Sequence, residues 1–185
     1  MSEKDTILKE IANRYNPVGF GEGEVAKEDL EAILKATTMA PSAFGEQPWR
    51  FYIATEQAER EMLLSYMTPG NALWAKDAPV LIAVAGYIYG TSDRTFNYWS
   101  GFDSGAAWGY MALEAMCRGY AVGFIGGFDR NDIKREFVLD DEDFYDFYAI
   151  VAIGKPSKDE VYAPLTAKPI AEVLLKRKKI NNYKI

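Results

Sequence analysis

The residues best suited to hold a planar ligand with polar edges fall in one stretch, Ala40-Pro41-Ser42-Ala43-Phe44-Gly45-Glu46-Gln47-Pro48-Trp49-Arg50-Phe51. Two prolines bracket a turn. Ser42 offers a hydroxyl, and the Gln47 amide both donates and accepts. Gly45 lets a ligand approach the backbone. Trp49 adds a large apolar surface. A heteroaromatic ring needs such groups: hydrogen bonds at its edge and an apolar floor. The same residues serve equally as a well-formed loop over a core tryptophan.

A second stretch, Ile125-Gly126-Gly127-Phe128-Asp129, comes after an apolar run and precedes a helical pattern. Paired glycines leave backbone N–H groups accessible, and a helix start favours negative charge. Such groups suit a ring that becomes anionic on reduction. The alternative is a tight turn with Asp129 as N-cap, and both can hold at once. A third set, Gly19-x-Gly21-x-Gly23, has the wrong spacing for a dinucleotide loop, and no strand precedes it. It reads as a flexible connection.

Absences narrow the chemistry further. The chain of 185 residues has no histidine and one cysteine, Cys117. Nucleophiles activated by histidine are therefore impossible. The usual zinc sites and an internal disulfide framework are excluded as well. Chemistry must rest on carboxylates, Lys or Tyr, or belong to a bound cofactor. A net charge of −6 argues against nucleic acid as a partner. The local basic run Lys176-Arg177-Lys178-Lys179 reads first as a solvated helix end. No apolar run reaches the length of a membrane span. The charged start, Met1 to Asp5, lacks a signal peptide's hydrophobic stretch. The cytoplasm is the expected compartment.

Helices and strands must position these segments. Apolar spacing predicts helices over 4–13, 27–39, 56–67, 102–118 and 130–137, and a last one opened by Pro169. Strands are expected at 50–55, 79–86, 120–125 and 147–153, the last ended by Gly154, with a loop at 87–100 and a loop or turn at 140–146. Interleaving without a strict βαβ rhythm indicates an α+β layer fold in one domain. Helix 102–118 carries Gly105, Ala106, Ala107, Gly109, Ala112 and Ala115, which let another backbone pack closely. That face and the last helix exceed what one small domain buries, so a two-fold dimer is expected.

Taken in order, these segments resemble the FMN-dependent nitroreductase family. The similarity rests on Arg14-Tyr15-Asn16 and, beyond it, Phe20; on Pro41-Ser42 through Gln47-Pro48-Trp49-Arg50-Phe51; on Ala78-Pro79 before a buried strand; on Asp103 with Gly105-Ala106-Ala107; on Gly126-Gly127-Phe128-Asp129; and on Ala152-Ile153-Gly154-x-Pro156. The resemblance implies a central mixed, mainly antiparallel sheet flanked by helices, over residues 1–185, with a C-terminal helical extension. It implies a homodimer with FMN at the subunit interface. Arg14, Tyr15 and Asn16 would meet the FMN phosphate and ribityl chain. Pro41, Ser42 and Ala43 would approach the flavin from the partner subunit, with Gly45 and Gln47 in the same loop. Asn71 would lie at the polar edge, and Ile125, Gly126 and Gly127 would face N5 and O4.

The chain also departs from the family's pattern. Tyr15, Asn16 and Val18 stand where relatives carry a basic residue, Ser and a second basic residue. Gly45 replaces an Asn, and Ala167 replaces an Arg. Lys168 or the 176–179 run would then supply the missing cation. The implied activity is a ping-pong transfer of hydride from NAD(P)H, through flavin N5, to a nitroaromatic or quinone, with no side chain acting as nucleophile. Tyr15, Phe44, Trp49, Trp74, Tyr98 and Trp99 are the aromatics considered beside a planar acceptor, although such residues are more often core or interface. Two other classes stay open: a flavin-binding protein without turnover, and a degenerate scaffold that binds no flavin.

Overall fold

A computed structural model describes residues 7–90, 95–137, 145–158 and 167–175. In chain order the elements are α1 (Lys9–Asn13), β1 (Phe20–Gly21), α2 (Lys27–Thr37), a 3-10 turn (Ala43–Gly45), β2 (Trp49–Ala54), α3 (Gln57–Ser65), α4 (Pro69–Ala75), β3 (Val80–Tyr87), α5 (Ser100–Cys117), β4 (Ala121–Ile125), α6 (Arg130–Glu136), β5 (Tyr145–Pro156) and α7 (Ile170–Val173). The basic run 176–179 and most of the 140–146 expectation lie outside the described residues, as do the first residues of the 4–13 helix.

The five strands form one sheet in the order β1-β5-β3-β2, with β4 pairing β5 as well. Each described pairing is antiparallel. β3 is buried almost throughout because helices cover both faces. Leu81, Ala83 and Ala85 face a core shared with α3, α4 and α6. Val80, Ile82 and Val84 face α2 and α5, where Ile33, Met111, Ala112 and Ala115 pack. Period-two alternation thus sorts one strand between two cores.

β5 keeps that alternation with one interruption. Val84 pairs with Ala149 but Ala85 pairs with Phe147, so Tyr148 is an extra residue. A bulge reverses the parity of the residues on its far side. Phe147 therefore belongs to the first core, Ala149 and Val151 to the second, and Ile150 to the first again. The Tyr148 hydroxyl donates to Ser100 Oγ at 2.8 Å, at the start of α5. Burial raises the Tyr148 pKa above its ordinary value.

Three elements differ from what the spacing predicts. Gly154 does not end the last strand; β5 runs on to Pro156. A Cβ there would come within 2.8 Å of Phe20 Cδ1 and Pro79 Cδ, so this glycine serves close packing rather than a turn. The Gly19–Gly23 segment contains β1, which pairs with Lys155 and Pro156, so it is more than a flexible connection. And α4 lies between α3 and β3, opened by Pro69 in its first turn.

Candidate functional site

Two groups of the expected residues assemble in different parts of the fold. The first gathers around the end of β4. Asn16 Oδ1 accepts the Phe124 N–H at 2.7 Å, which fixes the Arg14–Asn16 segment against this strand. Pro17 and Trp74 cover Gly123, where a Cβ would lie 2.6 Å from the Trp74 ring. Beyond Ile125 the chain leaves the sheet and is caught by the α3–α4 junction. Thr68 N–H donates to the Gly127 carbonyl at 2.9 Å, and Asp129 N–H donates to Tyr66 O at 2.8 Å. Asn71 Nδ2 donates to the same Gly127 carbonyl at 3.1 Å. Asp129 caps α6, accepting the N–H groups of Asn131 and Asp132.

The Gly127 carbonyl is thus engaged while its N–H points elsewhere. Among the described residues, neither the Gly126 nor the Gly127 N–H has a hydrogen-bond partner. A Cβ at Gly126 would meet nothing within 4 Å. Two adjacent backbone donors are therefore unpaired among the described residues, beside an anchored Asn, with open space on the Cβ side of Gly126. Ile125 contributes backbone alone, since its side chain is buried in the core. Tyr15 packs partly on the same core. Arg14 is half-buried and forms no ion pair among the described residues.

The second group is the loop before β2. Phe44 and Gln47 hold left-handed backbone at φ 55° and 45°, with Gly45 between them at φ 71°. Such conformations cost a non-glycine residue of order 1–3 kcal/mol. Side chains hold the loop in place. Ser42 Oγ accepts the Gln47 N–H at 3.0 Å. Arg50 Nη1 donates to the carbonyls of Gln47 at 3.1 Å and Trp49 at 2.7 Å. Asp103 Oδ2, on α5, accepts the Ala43 N–H at 2.9 Å. Ala43 O accepts the Glu46 N–H. Ala43 can therefore offer a ligand its methyl group, whereas Ser42 keeps a hydroxyl proton to donate. Pro41 is exposed and Gly45 has open space where a Cβ would stand.

Phe44 is 97% exposed, which is unusual for a strained aromatic. It borders a cavity of about 410 Å³ whose walls include Glu46, Phe96, Tyr98 and Trp99. Phe44, Tyr98 and Trp99 therefore come together, as a planar acceptor would need. Trp49 does not join them; it is buried with Ala40 and Ala107. Trp74 sits in the first group. Lys168 is exposed, and among the described residues no hydrogen bond or ion pair joins it to either group. None joins the two groups to each other within one chain.

The spacing gives no role to Asp103, Thr68 or Phe96. Asp103 carries one usable signal: it is the one charged residue of α5 before Glu114. Thr68 and Phe96 lie in loop sequence without periodicity, so nothing marks them.

Known proteins share this fold. A family model described as the nitroreductase family matches residues 19–72 and 64–155. An Archaeoglobus fulgidus protein, provisionally named an NADH dehydrogenase/NAD(P)H nitroreductase, is 29% identical over 159 residues, covering 84% of this chain and 88% of its own. A Bacillus subtilis protein provisionally named NAD(P)H nitroreductase YdgI is 27% identical over 175 residues, covering 76% and 82%. A crystal structure described as an oxidoreductase containing FMN superposes with a TM-score of 0.83 at 29% identity, covering 94% of this chain and 92% of that one.

Proposed function

The chain belongs to the nitroreductase family, and from that premise we propose that it is an FMN-dependent oxidoreductase that passes hydride from NAD(P)H to a small aromatic acceptor by a ping-pong route. The observation that carries this reading is the pair of N–H groups at Gly126 and Gly127, unpaired among the described residues, beside Asn71. Those donors fit the N5–O4 edge of a flavin, and the bare Gly126 leaves room for a flat ring. Arg14, without an acidic partner among the described residues, fits the phosphate. Bound FMN supplies hydride acceptance and donation, which explains how a chain with no histidine can work.

The protein's own groups do the rest. Arg14 can hold a phosphate bidentately. The Gly126 and Gly127 N–H groups stabilise negative charge that develops on reduction. The Asn71 amide is held by Thr68 and Gly127, so it presents a fixed edge. The Ser42 hydroxyl has a proton to offer. Phe44, Tyr98 and Trp99 give a nitroaromatic or quinone surfaces on which to stack.

A homodimer completes this proposal. Among the described residues no hydrogen bond or ion pair joins the two groups within one chain, and a two-fold pairing would bring the 41–47 loop of one protomer to the Gly126–Gly127 end of its partner. Exposed Phe102 and Tyr110 flank Gly105 and Gly109 on α5, giving such a pairing an apolar surface. The test is a flavin titration of the purified protein, then anaerobic NAD(P)H addition and then a quinone, with sedimentation run in parallel. A flavin spectrum that bleaches with NAD(P)H and recovers with quinone, on a dimer, is the expected result. A protein that binds no FMN, or stays oxidised with both nicotinamides, overturns it.

A further inference from the structure

We infer that Asp103 is a positioning residue for the flavin: its buried carboxylate fixes the Ala43 N–H and so sets where Ser42 stands. This rests on the FMN reading above. Asp103 is 4% exposed, and its Oδ2 reaches Ala43 across 60 positions of sequence. A buried carboxylate is costly unless it is paired and hydrogen-bonded. Among the described residues no Lys or Arg forms an ion pair with it.

The local packing does not call for an acid. One helical turn on, Ala107 is fully buried against Ala40 and Trp49, in a small apolar cluster that Ala106 joins from the side. A buried carboxylate that holds one backbone N–H and pairs with no cation among the described residues is not a group that fold stability alone calls for. The use of this carboxylate therefore lies at its other end. There it grips a loop whose residues 44, 45 and 47 are all left-handed. Ser42–Gln47 and Arg50–Gln47 bonds shape the loop from within. The Asp103 bond ties that shaped loop to the rigid central helix. A binding group must be held within a fraction of an ångström by a supporting shell, and Asp103 provides that support for Ser42.

Three variants of the full-length protein test this: Asp103→Asn, Asp103→Ala and Asp103→Leu. The readouts are the FMN dissociation constant from flavin fluorescence, thermal melting without FMN, and the Ala43 amide proton shift by NMR. Asn keeps an acceptor oxygen, so its FMN affinity should stay within about threefold of wild type. Ala and Leu should weaken FMN about tenfold or more, with loss of the hydrogen-bonded Ala43 amide shift. The Leu variant buries no carboxylate but leaves the Ala43 N–H without its acceptor, two effects that oppose each other, so it should melt close to wild type, which separates positioning from general stability. If Leu does not fold, the Asn–Ala pair decides. Wild-type FMN affinity in folded Asp103→Leu or Asp103→Ala overturns the inference. Failure of the wild-type protein itself to bind FMN overturns the functional reading on which it rests.

Discussion

Asn71 Nδ2 donates to the Gly127 carbonyl at 3.1 Å and to Thr68 Oγ1 at 3.0 Å, so one amide clamps α4 to the chain leaving β4. The two adjacent glycines there have different duties. A Cβ at Gly127 would fall 2.5 Å from that same nitrogen, whereas one at Gly126 would meet nothing. Gly127→Ala should displace Asn71 and lower stability by roughly 1–3 kcal/mol. Gly126 has no positive φ, so Gly126→Ala should raise the FMN-free stability by about 0.4–1 kcal/mol. It should nevertheless weaken FMN, because the methyl occupies the space left for the ring. Denaturant melts and flavin titrations on both variants check this. Equal FMN affinity in Gly126→Ala would remove that face from the site.

Arg14 is the cation in the N-terminal motif. Arg14→Ala should weaken FMN by roughly 1.5–3 kcal/mol, the size of a hydrogen bond to a charged group. Arg14→Lys should recover part of the loss, since an ammonium lacks the planar fork. Riboflavin, without a phosphate, should bind wild type and Arg14→Ala alike. A riboflavin affinity that falls as much as that for FMN would show that Arg14 acts on something other than phosphate.

Gly154 isolates stability from function. A Cβ within 2.8 Å of Phe20 and Pro79 forces the β1 edge away from β5. Gly154→Ala should cost about 1–3 kcal/mol, as overpacking does. Its folded fraction should bind FMN normally, because neither neighbour belongs to the site. Urea denaturation with and without FMN measures both quantities.

Asp29 gives a dependence on pH. Its carboxylate accepts the Tyr120 hydroxyl at 2.7 Å and is paired with Arg118 at 2.8 Å. The Tyr120 bond first and the Arg118 guanidinium second hold its pKa below the ordinary 3.8. The folded value is depressed, so the contribution to stability is present above the unfolded pKa. It is lost as pH falls through the folded one. Tyr120→Phe removes the first cause. The stability gap between wild type and Tyr120→Phe should hold steady above about pH 5 and narrow as acid protonates Asp29. A gap that widens in acid would contradict this account.

Much of the architecture is legible in the sequence because periodicity marks burial. The apolar run from Val80 has no polar face and forms a strand buried on both sides, and small residues along 102–118 mark the central helix. Less legible are contacts between distant segments. α4 begins Pro-Gly-Asn, residues that signal a turn, and becomes helical under Phe20 and the β4 end, where Trp74 packs. Gly154 reads as a stop because a missing side chain looks alike whether it frees a turn or admits a neighbour. Glycines 126 and 127 stand out from chemistry, since accessible N–H groups result from two absent side chains. Asp103 is marked by its charge in an apolar helix and by the family resemblance, but its partner is not: that is a backbone amide, and backbone leaves no mark on sequence.

β5 joins β3 on one side and both β4 and β1 on the other, yet it is the last described strand in the chain. During synthesis, β1 therefore waits for a partner that has not been made. At about 5–20 residues per second, roughly 6–25 s separate Gly21 from Tyr145 on the ribosome. Once β3 is made, it is left with β2 alone until β5 follows, and its apolar faces lack the strand that completes the sheet. The nascent protein should thus depend on chaperone cover until residue 156 emerges. A ribosome stalled shortly before that point should hold a protease-sensitive chain with no fixed sheet.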